Sequence, residues 1–562
     1  MNEYALFHKT ESNYCYPTSE NEITIRLRTS NKDNISKIYL VYGCKYDFYC
    51  VQHQKEMELR YVDKLFNYYE VHLKLKDVRL TYIFKILSEN KTYYFSEDGL
   101  TTTYDFKFNF YNCFQYAYIH SSDVHKEVDF MKNSIFYEIF IDRFAIGNKE
   151  KDTSYINMKW DELPKSKSFA GGDLQGIIDN LDYLQSLGIN GIYLTPIFKS
   201  ISNHKYDIED YYKIDEQFGD EETLLKLVKL AHDKGIKIIL DAVFNHISEK
   251  SPLFQDVLKN GKKSKYYDWF IFKNNEYECF SICKYMPKLN TDNKEVQDYL
   301  INVGKYYIEK FDIDGWRLDV SDEVSHTFWK RFRSELKSLG KEIILIGENW
   351  HDANKFLQGD EFDSIMNYAF TKALLDYLAF NKYSSKDMSD KLNELLIRNT
   401  EQVNKMMLNL MDTHDTLRFY TEINKDINKY LIAITLLFFY EGVPCIYYGD
   451  ESLMEGGYDP DSRRGFKKDI NNQAYQLITK LASLRKEQEF INSKLYIKHN
   501  NDLLILERIS KEYIYRLNVN ISFDCKCNID NQLLSNNYNN GFIKTNGFVI
   551  EKVKRWKRIL LL

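Results

Sequence analysis

The segment Gly315-Trp316-Arg317-Leu318-Asp319-Val320 sets an arginine and a carboxylate two residues apart in an apolar run. Side chains on a strand alternate with period two, so Arg317 and Asp319 share a face. A buried acid is costly unless it is paired or used. Here the guanidinium would pair Asp319 and hold it ionised by charge-assisted hydrogen bonding. Two further apolar runs end in acids, Ile343-Ile344-Leu345-Ile346-Gly347-Glu348 and Asn409-Leu410-Met411-Asp412-Thr413-His414-Asp415. One strand-end acid is more often a cap or an ion-pair partner than a catalyst. Three together point to cleavage of glycosidic bonds, which needs one carboxylate as nucleophile or base and one carboxylic acid as proton donor.

The elements that must position these groups follow from the pattern around them. Strands are expected at Ile135–Phe140, Gly191–Leu194, Ile236–Leu240, Gly315–Val320, Ile343–Ile346, Ser364–Asn367, Met406–Leu410 and Cys445–Tyr448, mostly separated by helical periodicity. Repeated strand–helix units of this kind predict an α/β fold, a (β/α)8 TIM barrel, with its active site at the C-terminal strand ends. An irregular insertion after the third strand, about 247–293, is too long to be a plain connection. Residues 1–120 read as short alternating strands, among them Ile23-Thr24-Ile25-Arg26-Leu27-Arg28, and predict an N-terminal β-sandwich. The catalytic barrel is expected over 121–497 and a C-terminal β-domain over 498–562.

On the three acid-bearing segments the sequence resembles the α-amylase family of glycoside hydrolases. Asp241-Ala242-Val243-Phe244-Asn245-His246 resembles a fourth family segment, and Gly442-Val443-Pro444-Cys445-Ile446-Tyr447-Tyr448-Gly449-Asp450-Glu451 a fifth. Met286-Pro287-Lys288-Leu289-Asn290 resembles the segment typical of the cyclomaltodextrinase, neopullulanase and maltogenic-amylase subgroup. The resemblance implies that the insertion is domain B, one wall of the cleft. It implies Asp319 as nucleophile, Glu348 as general acid/base, and Asp415 as the third acid, holding sugar hydroxyls. Arg317 would support the nucleophile. His246 and His414 would bond the sugar at the cleaved subsite, with Asn245 and Asp241 orienting groups around them. His204-Lys205-Tyr206-Asp207 resembles a further segment, which makes His204 a substrate contact and Tyr206 the platform under the sugar ring. Trp350 resembles an aromatic wall on the leaving-group side. Asp459 and Arg463 match a subgroup signature near the non-reducing side, where a surface ion pair is the plainer reading.

Some positions depart from the family pattern. Ser321-Asp322 stands where the subgroup has Ala-Asn, Asn349 replaces an apolar residue, and Asp412 a small one. These changes are expected to border the acceptor side of the cleft, and Asp322 and Asp412 to raise neighbouring acid pKa values by like-charge proximity. Calcium is the one cofactor that the resemblance raises. The family's Asn-Gly-Asp-x-x-Asn-Asp loop here reads Ile146-Gly147-Asn148-Lys149-Glu150-Lys151-Asp152, while Gly171-Gly172-Asp173 is kept. A hard cation takes six to eight oxygens. Ile146 offers no side-chain oxygen and Lys151 brings a positive charge, so the site is expected to be lost or weak, with no metal ligands and no required cofactor.

Bulk properties agree with this reading. The chain of 562 residues is long enough for several domains, and 82 acids against 76 bases argue against nucleic acid as a partner. No apolar run is long enough to span a membrane, and Met1-Asn2-Glu3-Tyr4 does not open a signal peptide. With no export signal, the nine scattered cysteines are expected to be reduced thiols in the cytoplasm. Cys279 and Cys283 lack a second pair that would complete a metal site. The expected function is an intracellular retaining α-glucan hydrolase acting on α-1,4 bonds of cyclomaltodextrins and maltodextrins, with pullulan cleavage and transglycosylation open. A maltodextrin-specific α-amylase or α-glucosidase, and a catalytically silent glucan-binding protein, are the alternatives. The expected partners are the oligosaccharide substrate and a second copy of the chain, in a homodimer formed through the N-terminal domain.

Overall fold

The computed structural model describes residues 1–108 and 111–555. At its centre are eight parallel strands: β1 (Phe136–Ile139), β2 (Gly191–Leu194), β3 (Lys237–Ala242), β4 (Gly315–Leu318), β5 (Ile344–Gly347), β6 (Ser364–Ile365), β7 (Leu408–Leu410) and β8 (Val443–Tyr447). Their order is β6-β5-β4-β3-β2-β1-β8-β7, and a parallel bridge from Met366 to Leu408 closes the sheet into a barrel. Strands buried on both faces read as continuous apolar runs, and β1, β2, β4, β5 and β8 are buried at every position. The register sets Arg317 of β4 beside Asp241 of β3 and Ile346 of β5. Gly315 is needed for the approach of β4 to β5, since a Cβ there would fall 2.3 Å from the carbonyl oxygen of Ile344.

Helices cover the outside of the barrel. Glu221–Asp233 follows β2, begins at Asp220, whose carboxylate accepts from the Thr223 amide at 2.8 Å, and buries Leu224, Leu227, Val228 and Ala231 at helical spacing. Lys294–Phe311 follows the inserted domain and His326–Lys337 follows β4. Between β5 and β6 the chain carries only the single turn Asn354–Phe356. Helix Ile427–Phe439 is buried along most of its length because it lies between the barrel and the strand Phe542–Lys554.

The insertion after β3 carries the helix Pro252–Asn260 and a small hairpin. Bridges from His246 to Lys288 and from Cys279 to Pro287 fold it back over the barrel mouth. The N-terminal region forms two antiparallel sheets of four and six strands around Ile23, Ile25, Leu27, Leu40, Val71, Tyr82 and Phe84. The C-terminal region is a six-stranded antiparallel sheet beginning at Lys494–Asn500. Residues 556–562 of the expected C-terminal domain and 109–110 of the expected N-terminal domain lie outside the described residues. Among the described residues no helix is long and apolar enough to cross a membrane.

Candidate active site

β4 delivers Arg317 to the barrel interior, where the guanidinium meets three acids from three strand ends. Its Nη1 donates to Asp319 Oδ1 at 2.8 Å and to both oxygens of Asp241 at 3.0 Å, and its Nη2 lies 2.9 Å from Glu348 Oε2. Burial opposes the charge on Arg317, but Asp241 and Glu348 outweigh it and raise its pKa. β4 ends at Leu318, so Asp319 is the first residue beyond the strand and not part of it. Val320 then turns into the left-handed region at φ 44°, unusual for a β-branched residue. That turn aims the Val320 amide at Glu348 Oε2, 2.9 Å away. Asp319 Oδ2 has no hydrogen-bond partner among the described residues. Burial raises the pKa of both Asp319 and Glu348; Arg317 opposes the rise in each, and Glu348 adds to it at Asp319. Two such acids titrate as a pair and cannot both ionise cheaply.

β7 supplies the opposite wall. Asp415 accepts from Arg463 Nη2 at 3.0 Å, and its other oxygen is 3.1 Å from His414 Nε2. Burial raises the pKa of Asp415, but the charges of His414 and Arg463 prevail and hold it below the usual carboxylate range. Arg463 is itself buried and also reaches the exposed Asp459 at 2.9 Å, so it bridges an acid of the cavity and an acid at the surface. Tyr206 donates to Asp241 at 2.8 Å, and its ring is stacked on that of His414. Its position follows from Lys205, which is left-handed at φ 63° and has its buried ammonium 2.9 Å from Asp215.

The two expected sugar-binding histidines are given opposite character. Burial, with help from Lys288, pushes His246 down to about 3. His414 is pushed up: burial opposes it, and Asp415 and Glu138 more than compensate. His204 is also pushed down to about 3, by burial and then by Arg463. Asn245 accepts from Lys288 at 2.6 Å and lies 3.4 Å from His246 Nδ1.

These groups surround a cavity of about 420 Å³. Of the residues expected at the site, His204, Tyr206, His246, Asp319, Glu348, Trp350, Asp415, Asp459 and Arg463 line it, whereas Arg317, His414 and Asn245 stand behind the lining and bond to one another's neighbours. Trp350 is 46% exposed and stacks on Tyr368 with centroids 3.8 Å apart. Phe280 and Met286 also line the cavity, Phe280 stacked on His246. Nothing local marks Phe280, which lies in irregular chain; Met286 stood within a recognised segment but had no expected role. Asp322 lines the cavity as expected. Asp412 does not: it is buried away from the cavity lining, where it accepts from the Phe419 amide at 2.5 Å and stands near Asp450 and Arg418, and burial raises its pKa against the opposing Arg418 charge. Asn349 is buried too, its side chain accepting from the His351 amide.

The expected calcium loop is organised around a side-chain cation. The buried Lys151 ammonium lies 2.9 Å from Asp173 Oδ2 and donates to the carbonyls of Gly171 and Gln217. The same Asp173 carboxylate caps a helix through the Gly176 amide at 2.7 Å and accepts from Gly147 and Asn148. With Asp173 so engaged, Asp152 accepting from the Ser154 amide and hydroxyl at 2.8 Å, and an ammonium in its midst, this set does not fit a hard divalent cation.

A closed (β/α)8 barrel carrying an arginine among strand-end acids, with an inserted domain at its mouth, defines a glycoside-hydrolase architecture. The family model for the α-amylase catalytic domain matches residues 138–489, and that for the α-amylase N-terminal Ig-like domain matches residues 1–120. The chain belongs to the α-amylase family of glycoside hydrolases. It is 43% identical over 502 residues to a cyclomaltodextrinase of Thermoanaerobacter pseudethanolicus, covering 87% of each chain. It is 36% identical over 539 residues to the intracellular maltogenic amylase of Bacillus subtilis, covering 92% of this chain and 90% of the relative. A solved cyclomaltodextrinase structure superposes with a TM-score of 0.89 at 33% identity, covering 99% of this chain and 98% of the other.

Proposed function

We propose that this enzyme is a retaining hydrolase of α-1,4 bonds in cyclomaltodextrins and short maltodextrins. The observation that carries the reading is Asp319. One of its oxygens is fixed by Arg317 at 2.8 Å, and the other has no hydrogen bond among the described residues, in the cavity that Glu348 and Asp415 also line. The unbonded oxygen attacks the anomeric carbon while the Glu348 carboxylic acid gives its proton to the leaving oxygen, forming a glycosyl ester on Asp319. Glu348, now a carboxylate, takes a proton from water, which attacks the same carbon and releases Asp319. Asp415 accepts hydroxyl groups of the sugar at the cleaved subsite, Tyr206 lies under the apolar face of its ring, and Trp350 flanks the leaving side. No metal takes part in this scheme, in keeping with the place of Lys151.

A cytoplasmic location is supported by the Bacillus subtilis relative, which is named intracellular, and by the free thiols of Cys279 and Cys283. A homodimer that uses residues 1–120 belongs to the same reading.

Initial rates on cyclomaltodextrins, linear maltodextrins, pullulan and starch test the assignment, with the anomeric form of the first product read by NMR. Faster turnover of cyclomaltodextrins than starch, with retention of the α-configuration, is expected. A preference for starch would move the enzyme to the ordinary α-amylases, and no turnover of any substrate would leave a glucan-binding protein.

A further inference from the structure

Glu138 stands fully buried in the middle of β1, behind the wall that holds Asp415. Its Oε1 meets two donors of one residue, His414 Nδ1 at 2.6 Å and the His414 amide at 3.2 Å. At the other edge of the ring, Nε2 lies 3.1 Å from Asp415 Oδ2 and 2.6 Å from the Tyr206 hydroxyl oxygen. The single hydroxyl hydrogen of Tyr206 goes to Asp241 Oδ2 at 2.8 Å. Toward His414, Tyr206 therefore presents a lone pair, and Nε2 must supply the hydrogen. Nδ1, facing a carboxyl oxygen that already accepts from the His414 amide, must supply one as well. Each edge of the ring thus requires a proton, and a ring with both is an imidazolium.

We infer that Glu138 is a positioning residue that holds His414 as the doubly protonated imidazolium, its Nε2–H set between Asp415 and Tyr206. This rests on the proposed hydrolase reading, in which Asp415 must stay ionised to accept sugar hydroxyls. Without a carboxylate at Nδ1, burial would favour the neutral ring, and a neutral ring with its hydrogen on Nδ1 would turn a lone pair toward Asp415. The surrounding charges agree in direction. His414 is pushed up because Asp415 and Glu138 overcome burial and the opposing charge of Arg463. Asp415 is held down, against burial, by His414 and Arg463, with smaller help from Arg317 and His204. On the far side Glu138 faces Cys445 and Tyr447 of β8, whose pKa values rise chiefly by burial and further through this acid.

The test is Glu138→Gln in the full-length enzyme, which keeps an acceptor for Nδ1–H and removes the charge. His414 is followed by NMR in histidine-labelled protein, its signal assigned by its loss in His414→Asn. In the wild type both ring nitrogens are expected to be protonated at neutral pH; a neutral ring would overturn the inference whether or not the variant folds. In Glu138→Gln the His414 midpoint is expected to fall by about 1 pH unit or more. The alkaline limb of kcat/KM on a short maltodextrin should fall with it, because activity is lost as pH rises through the His414 pKa. Glu138→Asp, which restores the charge, should move both back toward the wild type. An unchanged midpoint in Glu138→Gln, or a drop in melting temperature with no shift in either profile, would reduce Glu138 to a packing residue. The NMR titration needs no turnover, so an enzyme inactive on glucans would sink the hydrolase assignment and leave this result standing.

Discussion

Arg317 brings one positive charge to a place where Asp241, Asp319 and Glu348 all converge within 3.0 Å. Three buried acids around one buried cation cannot all be ionised without large cost, and burial raises the pKa of Asp319 and Glu348 against the opposing charge of Arg317. A raised pKa is what a general acid needs, and Arg317 stands against both carboxyls, 2.8 Å from Asp319 and 2.9 Å from Glu348; the proposed scheme makes Glu348 the acid and Asp319 the nucleophile. Asp319→Asn is expected to lower kcat on maltodextrins by on the order of 10⁴-fold, with binding of a maltodextrin measured by calorimetry largely kept. Near-normal turnover would remove Asp319 from the chemistry. Glu348→Gln is expected to lose about 10²–10⁴-fold on maltodextrins but far less on aryl glycosides, whose leaving groups depart without a proton. Equal losses on the two substrate types would show that Glu348 is not the acid. The Arg317–Asp319 relation was legible in the sequence because period-two alternation is local. Glu138 was not, because a lone acid inside an apolar run gains its meaning from a histidine 276 positions away.

Loops at the C-terminal strand ends position these side chains, and the loop after β1 shows how one element replaces an ion with a residue. The Lys151 ammonium and Asp173 carboxylate are both buried and lie 2.9 Å apart, with two carbonyls completing the ammonium's bonds. Chelator treatment is therefore expected to leave activity and melting temperature unchanged, and a drop reversed by calcium would reveal a metal site. Lys151→Ala should lower stability by about 3–5 kcal/mol in denaturant unfolding, the usual cost of stranding one partner of a buried pair. If stability hardly changed, Lys151 would not be the structural cation. The strands themselves were readable because burial on both faces makes each one an apolar run; their ends were less so. Asp319 fell just outside β4, and β6 shrank to Ser364–Ile365. The left-handed turn at Val320 left no trace in residue type, since a valine there is imposed by tertiary contacts and works against local preference. Asp412 misled for a related reason: lying three residues before Asp415 says nothing about facing the same way, and it faces Asp450.

Across the whole molecule, the N-terminal sandwich leans on its own barrel and C-terminal sheet, away from its own cavity. Arg26 Nη1 donates to the Ile397 carbonyl at 3.1 Å, Gln402 to the Pro17 carbonyl at 2.9 Å, and Arg60 to the Leu495 carbonyl at 2.7 Å. None of the residues lining the cavity comes from residues 1–120. If this domain shapes the pocket, it must do so on a second copy of the chain. Its strand tyrosines are largely consumed by packing, with Tyr68, Tyr69 and Tyr82 buried, but Tyr46, Tyr49 and Tyr118 stay 70%, 54% and 43% exposed. Sedimentation of the full-length protein is therefore expected to give twice the chain mass, with cyclomaltodextrins cleaved faster than starch because a domain lent by the partner narrows the mouth. Removing residues 1–120 should give a monomer and weaken that preference. Because the cut bares the surface around Ile397 and Leu495, folding of the remainder must be checked by circular dichroism before its rates are read. A folded, monomeric remainder with an unchanged preference would confine selectivity to the barrel and domain B. A monomeric full-length enzyme that favours cyclomaltodextrins would give the same answer without truncation, and either result would end the case for a shared pocket.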